Sequence, residues 1–169
     1  MRVTRSAHRR LLAAPLTALV LAVSACSGGD EPAAQEEVDP KQAYVEQASE
    51  ICTSADEEFV ALGGTPTTPE QFGPYVQDSI GIADRARSQL AGLAPPEEDR
   101  AELESKVLTP LADLVEQGRA WSGQVTAAGT DQAALLELLG TRPSSAGIDK
   151  EYLREYGLTT CADAISRLG

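Results

Sequence analysis

Three cysteines, one histidine and several paired carboxylates are the residues of this 169-residue chain whose types can do chemistry. A cysteine thiol becomes a nucleophile when a base takes its proton, and imidazole is the usual base. The single histidine, His8, stands in the first ten residues, remote in sequence from Cys52 and Cys161. No Gly-x-Ser-x-Gly elbow, phosphate-cradling glycine motif or calcium loop of alternating Asp residues occurs. Carboxylates remain. Glu46 and Glu50 are spaced i, i+4, as are Glu98 and Glu102, with Asp99 beside them. Two carboxyls about 5 to 9 Å apart suffice for glycoside hydrolysis. Inward glutamates of a four-helix bundle hold a di-iron pair only with Glu-x-x-His motifs, which are absent. Tyr152 and Tyr156, one helical turn apart, suit a ligand cleft or haem iron; the commoner use of such a pair is to pack a helix end with the hydroxyls in water. The expectation is therefore no catalytic residue, no metal site and no cofactor.

The elements that would position these residues read as helices. Asp39 can cap a first helix with Pro40 at its first position and Gln42 completing a capping box. Its apolar stripe is Tyr44, Ala48, Ile51, Cys52, Ala55, Phe59 and Leu62, stopped by Gly63-Gly64. Thr68, Pro69 and Gln71 repeat the device for a second helix, with the stripe Phe72, Val76, Ile80, Ala83, Arg87 and Leu90. The Arg87 stem can cover apolar surface there while its head reaches water.

After Ala94-Pro95-Pro96, the acids Glu97, Glu98 and Asp99 favour a helix start. A third stripe runs Leu103, Val107, Leu111, Leu114, Gly118, Trp121 and Val125, with Trp121 read as core. Pro110 either kinks this helix or divides it, and the unbroken apolar phase favours the kink. Both acidic pairs lie off the stripes, so they are expected in solvent. Thr130 can cap a helix from Asp131 to Gly140 with Leu135, Leu138 and Leu139 buried. A further helix spans Ile148 to Tyr156, with Gly157 as its stop and Leu158 folding back in a Schellman cap. Residues 158–169 remain open between extended chain and a last short helix. No stretch alternates with period two, and the chain has no asparagine for Asn-Gly hairpins. The expected fold class is all-α, a helical bundle of about four main helices.

Residues 1–25 carry four bases (Arg2, Arg5, Arg9 and Arg10) and no acid. The remaining 144 residues set 26 acids against ten bases, a charge of −16. Such a body repels polyphosphate, so nucleic acid is excluded as a partner. The bases precede a 13-residue apolar run, Leu11 to Val23, which is short for a membrane span of about 20 residues. This is the layout of a secretory signal peptide, with a retained anchor helix as the alternative. Val23-Ser24-Ala25-Cys26 then resembles the lipobox of bacterial lipoprotein precursors. That resemblance implies a diacylglycerol on the Cys26 thiol, cleavage between Ala25 and Cys26, and acyl chains of the palmitate kind. Arg9-Arg10 partly matches a twin-arginine export signal. His8 stands before the pair and Leu11-Leu12-Ala13 follows it, so general secretion is the simpler route.

From Ser27 to Asp39 the chain carries five acids and no base, a composition that cannot bury enough surface to fold. The expected organisation is a signal peptide over 1–25, a lipidated cysteine and acidic tether over 26–39, and a helical domain over 40–169. Small actinobacterial secreted proteins carry segments similar to Tyr44–Cys52 and Tyr156–Cys161, a likeness supporting location and a disulfide. With Cys26 alkylated, Cys52 and Cys161 are the two remaining thiols in an oxidising compartment, an even count that pairs one way. Cys52 faces inward on its stripe, and Cys161 follows a helix stop where the chain can turn back. The functional expectation is a lipoprotein held at the outer face of the cell membrane, its domain a binding or adaptor module. The membrane is a partner through the lipid; a protein, cell-wall component or small molecule is the further partner. A carboxylate-dependent wall-glycan hydrolase is the alternative.

Overall fold

A computed structural model describes residues 39–168. The expected signal peptide, the Ala25–Cys26 cleavage, Cys26 lipidation and the tether up to residue 38 lie outside the described residues. Every regular element among the described residues is helical, as the apolar periods predict. Three long helices come first: α1 (Pro40–Ala61), α2 (Pro69–Gly92) and α3 (residues 100–128). Three short ones follow: α4 (Gln132–Leu139), α5 (Lys150–Tyr156) and α6 (Thr159–Ser166). Among the described residues, no helix is long and apolar enough to cross a membrane.

Asp39 caps α1 by accepting from the Lys41 N–H at 3.0 Å, and Pro40 opens the helix. The start of α2 differs from expectation, because Thr68 makes no side-chain cap. Pro69 holds Thr68 in extended backbone, and the Gln71 N–H donates to the Thr68 carbonyl at 3.2 Å. The cap of α4 is Asp131 rather than Thr130. Its carboxylate reaches two free amides, accepting from Ala133 and Ala134 at 3.0 and 3.2 Å.

Pro110 does not divide α3. The helix passes through a π-turn, Glu104–Leu108, just before it, and the Thr109 N–H reaches back to the Glu104 carbonyl. A π-turn takes an extra residue into a helix without ending it, and here it directly precedes the proline. Residues after Gly157 form α6 instead of an extended strand. Gly157 has φ +104°, the Leu158 N–H donates to the Leu153 carbonyl at 2.7 Å, and the Gly157 N–H donates to Arg154 at 3.2 Å. That is the full Schellman pattern, and it buries Leu158.

The core falls into two clusters. The larger joins α1, α3, α5 and α6 through Tyr44, Leu103, Leu111, Leu153 and Ile165. The disulfide Cys52–Cys161 lies within it, with Cα atoms 5.0 Å apart across 109 residues of sequence. The smaller cluster, built on Val76, Trp121, Val125 and Leu135, lies where α2, α3 and α4 meet. Gly118 lets α2 and α3 approach closely, since a Cβ there would stand 2.6 Å from Ile80 Cδ1. Beside that seam Arg119 lies 2.5 Å from Asp84, which Arg87 also meets at 3.2 Å. The Arg119 hydrogen bond is the main cause that holds the Asp84 carboxyl below its ordinary range.

Candidate functional site

The residues with chemical potential separate into an occupied cluster and an open cleft. The occupied cluster is the tyrosine group. Tyr152 and Tyr156 stack at 5.7 Å between ring centres, and Tyr44 meets Tyr156 edge-on at 6.2 Å. Lys41 Nζ sits over the Tyr156 ring at 4.1 Å and Lys106 Nζ over Tyr152 at 4.4 Å. Both contacts are in the range of cation–π attraction. The packing reading of the pair holds, with one correction. The Tyr156 hydroxyl is not in water; it donates to Asp99 Oδ2 at 2.7 Å. The expectation had placed Asp99 among solvated acids at the start of α3, and nothing local in sequence links it to a tyrosine 57 residues away.

These surroundings set the phenol chemistry. Burial, then the Asp99 hydrogen bond and charge, push Tyr156 above its ordinary value. Burial and the Glu104 carboxylate do the same to Tyr44, and burial and the Glu102 carboxylate to Tyr152. All three are thereby held neutral, with rings packed against one another and against lysines. The cluster is suited to fastening α1, α3 and α5 together.

The carboxylate pairs do not converge on a cleft. Glu46, Glu50, Glu98 and Glu102 are exposed, as their off-stripe positions predict. Among the described residues, no three His, Cys, Asp or Glu side chains come together in a way that could hold a metal ion.

The open cleft lies over the smaller core cluster and encloses about 240 Å³. Phe72, Ile80, Leu114 and Trp121 give it an apolar floor, and Phe59 adds the end of α1. Arg142 and Arg167 also line it. Arg167 pairs with Asp56, its Nε 2.5 Å from Oδ1. Arg142 is exposed and makes no ion pair among the described residues. Ser79 Oγ, contributed to the lining by α2, is buried and finds no hydrogen-bond partner among the described residues.

A small polar device shapes one wall. The Trp121 Nε1–H donates to the Leu138 carbonyl at 2.9 Å, and the Thr141 hydroxyl donates to the same oxygen at 3.1 Å. This draws the end of α4 onto α3 and directs the chain that follows, Leu139 to Pro143, along the cleft. Leu139 is consequently half-exposed on the cleft wall, where the apolar period had predicted burial.

Sequence reasoning found Trp121 as a core residue but not its second role as cleft floor, and it treated Arg142 only as the start of a loop. The one local signal was Gly118 within an apolar stripe, a gap that draws a neighbouring helix close.

The chain matches no protein-family model, no curated protein and no solved structure.

Proposed function

We propose that the chain is a membrane-anchored extracytoplasmic lipoprotein whose helical domain is a non-catalytic binding or adaptor module. The anchor rests on Val23-Ser24-Ala25-Cys26 after a basic and apolar leader. Acyl chains contribute about 0.8 kcal/mol per buried CH₂, and two such chains hold a protein at a bilayer even when its body carries −16. A disulfide joining the first and last helices fits an oxidising compartment outside the cytosol.

The observation that carries the binding reading is the cleft itself. A glycan hydrolase working by carboxylates needs two of them at the mouth of a groove. Among the described residues, this cleft is lined mostly by apolar side chains, with two arginines and the hydroxyls of Ser79 and Thr65, and no carboxylate belongs to its lining. A concave apolar site with a few polar groups is the usual form of a ligand site.

Two measurements test the proposal. The wild-type protein should fractionate with membranes and carry lipid mass on its N-terminal cysteine; Cys26→Ala should appear in the medium or as uncut precursor. Wild-type protein found soluble and free of lipid would overturn the anchor. Crosslinking in intact cells, read by mass spectrometry, should return a specific neighbour for an adaptor and none for a small-molecule binder.

A further inference from the structure

The charged side chains that line the cleft have one sign, and that selects its ligand. Among the described residues the acids outnumber the bases by 22 to ten, yet two of the bases and none of the acids line the cleft. Arg142 carries an uncompensated charge beside apolar surface. Arg167 is ion-paired with Asp56, its Nε 2.5 Å from Oδ1, and one terminal nitrogen donates to Oδ2 at 3.5 Å. A guanidinium has five N–H donors in a rigid fork, so Arg167 keeps donors in reserve. Ser79 Oγ adds a buried hydroxyl with both donor and acceptor capacity unused.

We propose that this cleft binds a small amphiphilic monocarboxylate, with its acyl or aromatic body on the Phe72–Trp121 floor and its carboxylate held by Arg142. The inference rests on the reading of the domain as a binding module. Arginine suits the task because its planar fork meets the two carboxylate oxygens together and is weakly hydrated beside apolar walls. Arg167 and Ser79 supply neutral-pair and hydroxyl contacts around the same ligand.

The size of the site limits the body. The cleft offers about 240 Å³ of space and opens to solvent. That admits a medium-length acyl chain or a single aromatic ring with a short spacer. Trp121 packs edge-on against Phe72 with ring centres 6.2 Å apart, so an aromatic body can extend an existing ring contact.

Trp121 is the chain's single tryptophan, so its fluorescence reports this cleft alone. The mature lipid-anchored protein, reconstituted in phosphatidylcholine vesicles, would be titrated with 3-phenylpropanoate and octanoate at fixed ionic strength. The neutral 3-phenylpropanamide and the cationic 3-phenylpropylamine serve as the other arms. Saturable changes are expected, with the carboxylates binding at least about tenfold more tightly than the amide, as a hydrogen bond to a charged group allows. Arg142→Gln should remove most of that advantage and leave the amide response in place. Arg142 is exposed and unpaired, so this variant should melt like wild type. Ser79→Ala should weaken the carboxylates about threefold.

Equal affinity for acid and amide, or an Arg142→Gln variant that keeps the preference, would overturn the carboxylate assignment and leave an apolar binding cleft. No saturable response from any probe would overturn the ligand inference entirely. The tethered adaptor would then stand or fall on fractionation and crosslinking.

Discussion

The Lys106 carbonyl accepts a hydrogen bond from the Asp149 N–H at 3.1 Å. The acceptor is free because Pro110, four residues ahead, has no N–H to return to it. Asp149 in turn caps α5, its carboxylate accepting from the Tyr152 N–H at 2.9 Å. A proline in the middle of one helix thus supplies the docking point for the start of another.

Replacing that proline tests the connection. In Pro110→Ala the new N–H competes for the Lys106 carbonyl. Hydrogen exchange at the Asp149 amide should accelerate about fivefold, the equivalent of a net hydrogen bond of about 1 kcal/mol. Unchanged protection at Asp149 would show that α5 holds its position without the proline's help.

The disulfide carries a large share of the stability. In the chain-entropy account, closing a loop near 100 residues contributes about 4.7 kcal/mol. Domains of this kind have about 5 to 15 kcal/mol in all. Reduction, or Cys52→Ala, should therefore lower the unfolding free energy by about 3 to 5 kcal/mol in denaturant melts followed by circular dichroism. Non-reducing peptide mapping should recover the linked Cys52 and Cys161 fragments. A midpoint insensitive to reductant would contradict the assignment.

Gly157 is required by its backbone. At φ +104° an alanine is strained, and its Cβ would also meet Val45 Cγ1 at 3.4 Å. Gly157→Ala should cost about 1 to 2 kcal/mol, the usual cost of a side chain in left-handed backbone. Gly147 has open space and no positive φ, so Gly147→Ala is a control expected within about 0.5 kcal/mol of wild type. Similar losses at both positions would remove the argument for the Schellman turn.

Alkaline pH should unfold the protein through its tyrosines. Tyr44, Tyr152 and Tyr156 all have folded pKa values above the ordinary 10.0, chiefly through burial. A raised folded value means stability that is complete below pH 10 and lost as pH climbs past it toward the folded values. Melting temperatures should therefore be flat from pH 8 to about 9.5 and fall steeply above pH 10. Tyr156→Phe should flatten that fall and lower stability at pH 8, because Asp99 loses its donor. A steep fall of equal size in Tyr156→Phe would place the alkaline transition elsewhere.

Much of the fold was legible because its signals are local. Asp39-Pro40 announces α1, the Gly157-Leu158 pair announces the last turn of α5, and the stripes through Cys52 and Val107 identify the faces that meet. The disulfide followed from the even count left once Cys26 is set aside for lipid, together with the inward position of Cys52 and the reversal after Gly157. What escaped sequence reasoning depends on distant partners. Asp99 looks like a helix-start acid until Tyr156 is placed against it. Thr68 looks like a cap until its own carbonyl takes the amide. The cleft is the extreme case, since Ser79, Trp121 and Arg142 come from three separate segments and no period joins them. Its wall also depends on one side-chain bond, Trp121 to the Leu138 carbonyl, which no spacing rule foresees.

The bond between Cys52 and Cys161 also fixes the route by which tension travels. A pull applied between residue 39 and residue 168 runs along α1 to Cys52, crosses the sulfur bridge, and leaves through α6. The intervening residues, which include α2, α3, α4 and the whole floor of the cleft, hang from that short path as an unloaded loop. So long as the bridge stays oxidised, tension between the two ends reaches the cleft only through Arg167 and Leu168 on one wall, and the Phe72–Trp121 floor stays outside the loaded path.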